Sequence, residues 1–143
     1  MTFFIIHLTS AMKKKSSLLL ILPLLISIAA SSQSLTFCER VDGSGAPINS
    51  NTVFSVNKNG SPVTFYFVLP AGYNSSSINF DVYRLNQEKE VFHSTIKQPV
   101  SASQKSVSKQ MTFYDAGTYR IYVFDDKDRQ LAKGELTIKK SAQ

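Results

Sequence analysis

From Leu35 onward, apolar residues recur at every second position. That is the period of a strand with one face in a core and the other in water. Residues 35–41 (LTFCERV) read as a first strand, closed by the turn-rich DGSGAP at 42–47. Residues 52–56 (TVFSV) are a second strand. NKNG at 57–60 is a hairpin turn, because Asn-Gly tolerates positive φ. Residues 61–69 (SPVTFYFVL) alternate cleanly, with Val63, Phe65, Phe67 and Leu69 on one face and Thr64, Tyr66 and Val68 on the other. After the loop PAGYNSSS, residues 78–85 (INFDVYRL) set Ile78, Phe80 and Val82 together. NQEKE turns the chain into VFHSTI at 91–96. The Ser-rich KQPVSASQKS is a connection or an edge, and VSKQMTFY at 107–114 is another strand. RIYVFD at 120–125, a turn at 126–129 and LAKGELTIK at 131–139 complete the pattern. Seven or eight short strands at intervals of about 10 residues, with no helical period, predict an all-β antiparallel sandwich.

The first residues follow a different pattern. Lys13-Lys14-Lys15 and two serines precede LLLILPLLISIAA at 18–30, and the small or polar SSQS follows. A basic head, a short apolar run and a small-residue exit are the layout of a secretory signal peptide. The run is interrupted by Pro23 and falls short of the roughly 20 residues of a spanning helix. Cleavage after Ala30 or after Ser32 satisfies the small-residue rule, and Met12 offers an alternative start that gives MKKKSS. The chain thus divides into residues 1–32, a signal peptide, and residues 33–143, one β domain. The only membrane contact expected is through an uncleaved signal segment.

Composition changes this picture in three ways. Hydrophobic residues at 43% and charged residues at 18% place the chain among globular proteins, and sixteen Phe and Tyr without Trp supply one core. The net charge of +6 falls to +3 once Lys13, Lys14 and Lys15 leave with the signal. The remaining Lys and Arg are scattered, unlike the one-sided basic footprint of a nucleic-acid binder, so no nucleic acid is expected. Cys38 is the single cysteine. No internal disulfide is available, although an exported protein is allowed one. Cys38 reads as a small hydrophobe of the first strand, with a bond between copies as the alternative.

Residues 115–119 read Asp-Ala-Gly-Thr-Tyr just before a strand. This resembles the tyrosine corner of the immunoglobulin-like superfamily, in which the tyrosine hydroxyl bonds back to main chain a few residues upstream. The resemblance implies a structural corner of Asp115, Gly117 and Tyr119. Gly117 allows the tight backbone and Asp115 bonds to turn amides. The disulfide and core Trp of antibody domains are missing. Ile121 stands where a cysteine would be.

Candidate chemistry is thin. His93 is the one histidine after the signal segment, no serine lies in G-x-S-x-G, and no C-x-x-C or H-x-x-x-H occurs. His93 reads as a half-exposed strand residue. Asp125, Asp126 and Asp128 read as a solvated turn, with Lys127 and Arg129 opposing a calcium ion. No catalytic residue, metal or cofactor is expected. Alternation points Tyr119, Ile121 and Val123 inward and Arg120, Tyr122 and Phe124 outward. On the strand at 78–85 it points Asp81 and Tyr83 outward. If the two strands are neighbours, Tyr83, Tyr122 and Phe124 form a patch edged by Asp81 and Arg120. Aromatics and Arg are enriched where surfaces bind. The expected function is an exported, non-catalytic, immunoglobulin-like binding or interaction module of a bacterial periplasm or cell surface. Its partner is a protein, a glycan or a second copy. The alternatives are a carbohydrate-binding module using the tyrosines and a small secreted hydrolase.

Overall fold

The structure is a computed structural model and describes residues 34–142. The expected signal segment, with its choices of start and cleavage point, lies outside the described residues. Within them the chain is all β, in ten strands: β1 (Leu35–Cys38), β2 (Arg40–Val41), β3 (Pro47–Ile48), β4 (Val53–Val56), β5 (Ser61–Val68), β6 (Ser77–Asn86), β7 (Lys89–Pro99), β8 (Ser106–Phe113), β9 (Gly117–Asp125) and β10 (Gln130–Lys140). The count exceeds the expected seven or eight for one local reason. The first expected strand breaks at Glu39 into β1 and β2, and β2 folds back on β3, which takes up the end of DGSGAP.

Three strands form one sheet in the order β1-β5-β8, and five form a second in the order β4-β10-β9-β6-β7. Two features correct the expectation of a wholly antiparallel fold with a hairpin at 57–60. β4 pairs with β10 in parallel, from Val53 opposite Thr137 to Val56 opposite Lys140. The NKNG turn does close, with the Gly60 amide donating to the Asn57 carbonyl at 3.0 Å. It carries the chain from one sheet to the other, however, so β4 and β5 never form a ladder.

The two sheets bury their facing sides in one core. Val63, Phe65, Phe67, Ile78, Phe80, Val82, Ile121 and Val123 are all fully buried. These are the positions that alternation turned inward. Phe65 sits at the centre, with ring centroids 5.6 Å from Phe37 and Phe80 and 6.2 Å from Phe113. Thr64, on the opposite face of β5, is also buried, its hydroxyl donating to the Glu39 carbonyl at 3.1 Å. Cys38 lies in β1 with no exposed surface, so a disulfide between copies is closed to it without unfolding. Burial also pushes its thiol pKa up, against the pull of nearby main-chain amides.

The pairing of β6 with β7 decides the geometry of the exposed face. Ser94 lies opposite Val82 but Phe92 lies opposite Tyr83, so His93 is an extra residue on β7. A bulge of this kind re-aims side chains and adds twist. The two strands are joined through Gln87 and Glu88, both with positive φ (50° and 66°), the twist-matched geometry of a two-residue hairpin.

Candidate functional site

β6 and β9 are neighbours over seven residue pairs, from Ile78 opposite Asp125 to Arg84 opposite Tyr119. Every second residue therefore faces away from the core. Asp81 stands opposite Tyr122, and Tyr83 opposite Arg120. Phe124 follows two positions after Tyr122 on the same face. All five sequence-predicted surface residues thus come together on the outer side of the five-stranded sheet, each half-buried by its neighbours.

The rings form a row across three strands. Phe92 on β7 meets Tyr83 edge to face at 5.7 Å, and Tyr83 meets Tyr122 in the same way at 5.7 Å. Tyr122 stacks on Phe124 at 6.2 Å, and the Lys133 ammonium lies 5.7 Å from the Tyr122 ring. Phe92 at the end of the row remains 59% exposed.

A charged network crosses the row. Arg120 donates to Glu90 on β7 at 2.7 Å and to Glu135 on β10 at 3.0 Å. The Tyr122 hydroxyl donates to the same Glu90 oxygen at 2.5 Å. The Tyr122 hydroxyl and then the Arg120 guanidinium hold the Glu90 carboxyl below its ordinary pKa. Reciprocally, the bond to Glu90 raises the Tyr122 phenol, and Glu90 with Glu135 raises Arg120 further. Asp81 is tied separately, accepting from the Thr95 hydroxyl at 2.6 Å. Sequence reasoning does not single out Glu90, Phe92, Lys133 or Glu135, and it places Glu90 in the NQEKE turn. The signal that finds Glu90 is its place two positions before Phe92, on the same face of an extended strand.

Tyr119 is 1% exposed, and its hydroxyl donates to the Asp115 carbonyl at 2.9 Å. Burial raises the phenol's pKa. Asp115 takes part through its main-chain carbonyl rather than its carboxylate; the turn whose amides a carboxylate does tie is the one between β9 and β10. Asp125, with no exposed surface, accepts from the amides of Lys127 and Arg129 at 2.9 Å each and from the Arg129 guanidinium at 2.7 Å. This corrects the reading of a solvated turn for Asp125 alone, since Asp126, Lys127 and Asp128 are exposed. Burial pushes the Asp125 pKa up, but the two amides and the guanidinium outweigh it and hold it below the ordinary value. Beside Gly117, Arg84 crosses to donate to the Ala116 carbonyl at 2.8 Å.

His93 is exposed at the bulge, its ring 5.7 Å from that of Tyr119. Among the described residues no three His, Cys, Asp or Glu side chains gather as a metal site.

No protein-family model and no curated protein matches the chain. Among solved structures it is similar to the superoxide reductase (neelaredoxin) from Ignicoccus hospitalis, with a TM-score of 0.43, 8% identity, and coverage of 77% of this chain and 80% of that one. It is also similar to a singly substituted form of that protein, with a TM-score of 0.39, 8% identity, and coverage of 76% and 83%. Likeness at this level transfers no activity, metal or residue. Both neighbours are named as enzymes, which stands against the expectation of a non-catalytic binding or interaction module.

Proposed function

We propose that the described unit is an immunoglobulin-like sandwich whose working surface is the outer face of the five-stranded sheet, and that this face meets a protein partner. The sheet orders β1-β5-β8 and β4-β10-β9-β6-β7 and the buried corner at Tyr119 support the fold. The row Phe92–Tyr83–Tyr122–Phe124 carries the proposal for the surface. Large rings held rigid by one another give contact area at low entropic cost, and clustered aromatics beside Arg are enriched where protein surfaces meet. A surface of this kind serves a catalyst as readily as a scaffold.

The experiment is cross-linking of the protein in its native setting, wild type beside a Phe92→Ser/Phe124→Ser form. Both rings lie outside the core, so the doubly substituted protein folds. Partners other than a second copy that are held by wild type and lost from the variant support the face, and an identical set of such partners rejects it. Export belongs to the same proposal, on the strength of Lys13-Lys14-Lys15 and the apolar run at 18–30. N-terminal sequencing that begins just after Ala30 or Ser32 supports it, and a protein that keeps residues 18–30 rejects it.

A further inference from the structure

Among the described residues β7 is an outer strand of the five-stranded sheet and, at 11 residues, far longer than the opposite edge β4 at 4. A free edge presents a row of unpaired main-chain groups, a template for another strand. Two of the large exposed apolar side chains of the described residues, Val91 at 49% and Phe92 at 59%, stand on it.

The bulge gives this strand an unusual symmetry. Glu90, Phe92, Thr95 and Lys97 share the outer face, since they lie opposite Leu85, Tyr83, Asp81 and Asn79. Val91, Ser94 and Ile96, opposite Arg84, Val82 and Phe80, share the inner face with the extra residue His93. Read outward from the bond between His93 and Ser94, the faces run inner, outer, inner, outer in both directions. When two strands pair antiparallel, opposed residues must share a face, and a slip of one residue sends every side chain to the wrong side. For two copies of β7, the register centred between His93 and Ser94 meets that condition all along residues 90–97.

In that register the side chains also match. Glu90 of each copy faces Lys97 of the other, so two opposite-charge pairs close the ends. Val91 meets Ile96, and Phe92 lies against Thr95. Arg120 and Tyr122 both bond to Oε1 of Glu90, so Lys97 of the other copy can be received at Oε2. Bulges, lysines and prolines usually keep an edge from pairing. Here the two-fold sets one bulge against the other with the same added twist, each lysine meets a glutamate, and Pro99 lies beyond the paired stretch.

We propose that two copies of this chain pair through β7, antiparallel about a two-fold axis between His93 and Ser94, making one continuous sheet across the dimer. Strand addition supplies main-chain hydrogen bonds, and alternate side chains supply register. This inference goes beyond the outer-face reading and does not depend on it.

The test is sedimentation equilibrium of the purified protein up to several hundred micromolar, with carbodiimide coupling of mixed isotope-labelled and unlabelled copies. A dimer is expected, with an amide between Glu90 and Lys97 of different copies. Within one copy these residues lie about 20 Å apart along the strand, too far for a zero-length reagent. Lys97→Glu sets like charges together at both ends and is expected to weaken self-association roughly tenfold or more. Lys97 is exposed and on an edge, so the variant folds. A wild-type protein that stays monomeric throughout overturns the proposal. So does a dimer that resists Lys97→Glu and yields no 90–97 amide. A Phe124→Ser form should dimerise as wild type does, which separates failure here from failure of the outer-face reading.

Discussion

Tyr119 shows how one polar atom organises a region. Its ring fills core space against Phe113 at 4.7 Å, and its hydroxyl satisfies the Asp115 carbonyl. Tyr119→Phe keeps the ring and strands that carbonyl. It should lower the free energy of unfolding by about 1 kcal/mol or more in urea denaturation, and an unchanged value would deny the corner its structural role. Gly134 is the complementary case, a residue chosen for what it lacks. A Cβ there would stand 2.9 Å from Cζ of Phe37 and 3.0 Å from Cδ2 of Leu35. Alanine normally strengthens a strand relative to glycine. At this position it should instead destabilise by about 1–3 kcal/mol through overpacking, which thermal melts would show as a lower midpoint. Nothing in LAKGELTIK marks this glycine, because the ring that presses on it comes from β1.

At the scale of elements, the two hairpins of the larger sheet are built with opposite fidelity to turn chemistry. The β6–β7 turn asks Gln87 and Glu88 for positive φ, which neither residue type favours. Gln87→Asn with Glu88→Gly should therefore raise stability by about 1 kcal/mol, read as a higher urea midpoint with unchanged slope. The β9–β10 turn is locked by the Asp125 carboxylate. Its folded pKa lies below the unfolded value of about 3.9. Its contribution is therefore complete above the unfolded value and disappears as pH falls through the folded one. Urea midpoints should be flat near neutrality and drop in the acid range, and Asp125→Asn should flatten that drop. An acid limb identical in wild type and variant would contradict the lock.

Strand existence and facing were legible in the sequence because both follow from a period of two. The inward sets of β5, β6 and β9 needed nothing more. The break at Glu39, the parallel seat of β4 on β10 and the bulge at His93 were not legible, because each depends on where a distant strand lies. The surface cluster was half legible for the same reason. Tyr83, Arg120 and Tyr122 follow from alternation, but Glu90 reaches Arg120 only because β7 lies two strands away.

For the molecule as a whole, Cys38 is an internal reporter. It has no exposed surface and lies in β1 opposite Thr64, on the face of the three-stranded sheet turned away from the inter-sheet core and beside the main chain of Arg40 and Ile48. Thiol labelling in native buffer should be slow, because no part of Cys38 is exposed, and should quicken with urea before or together with loss of the far-ultraviolet signal. Rapid labelling without denaturant would show that β1 detaches by itself.

The seat of β10 between β9 and β4 also orders events during synthesis. β10, the last of the described strands, is an interior one, and among the described residues the early strand β4 forms its ladder with β10 alone. A growing chain that has not yet emerged past residue 130 lacks the strand that joins β4 to β9, so closure of the larger sheet waits for residues 130–140.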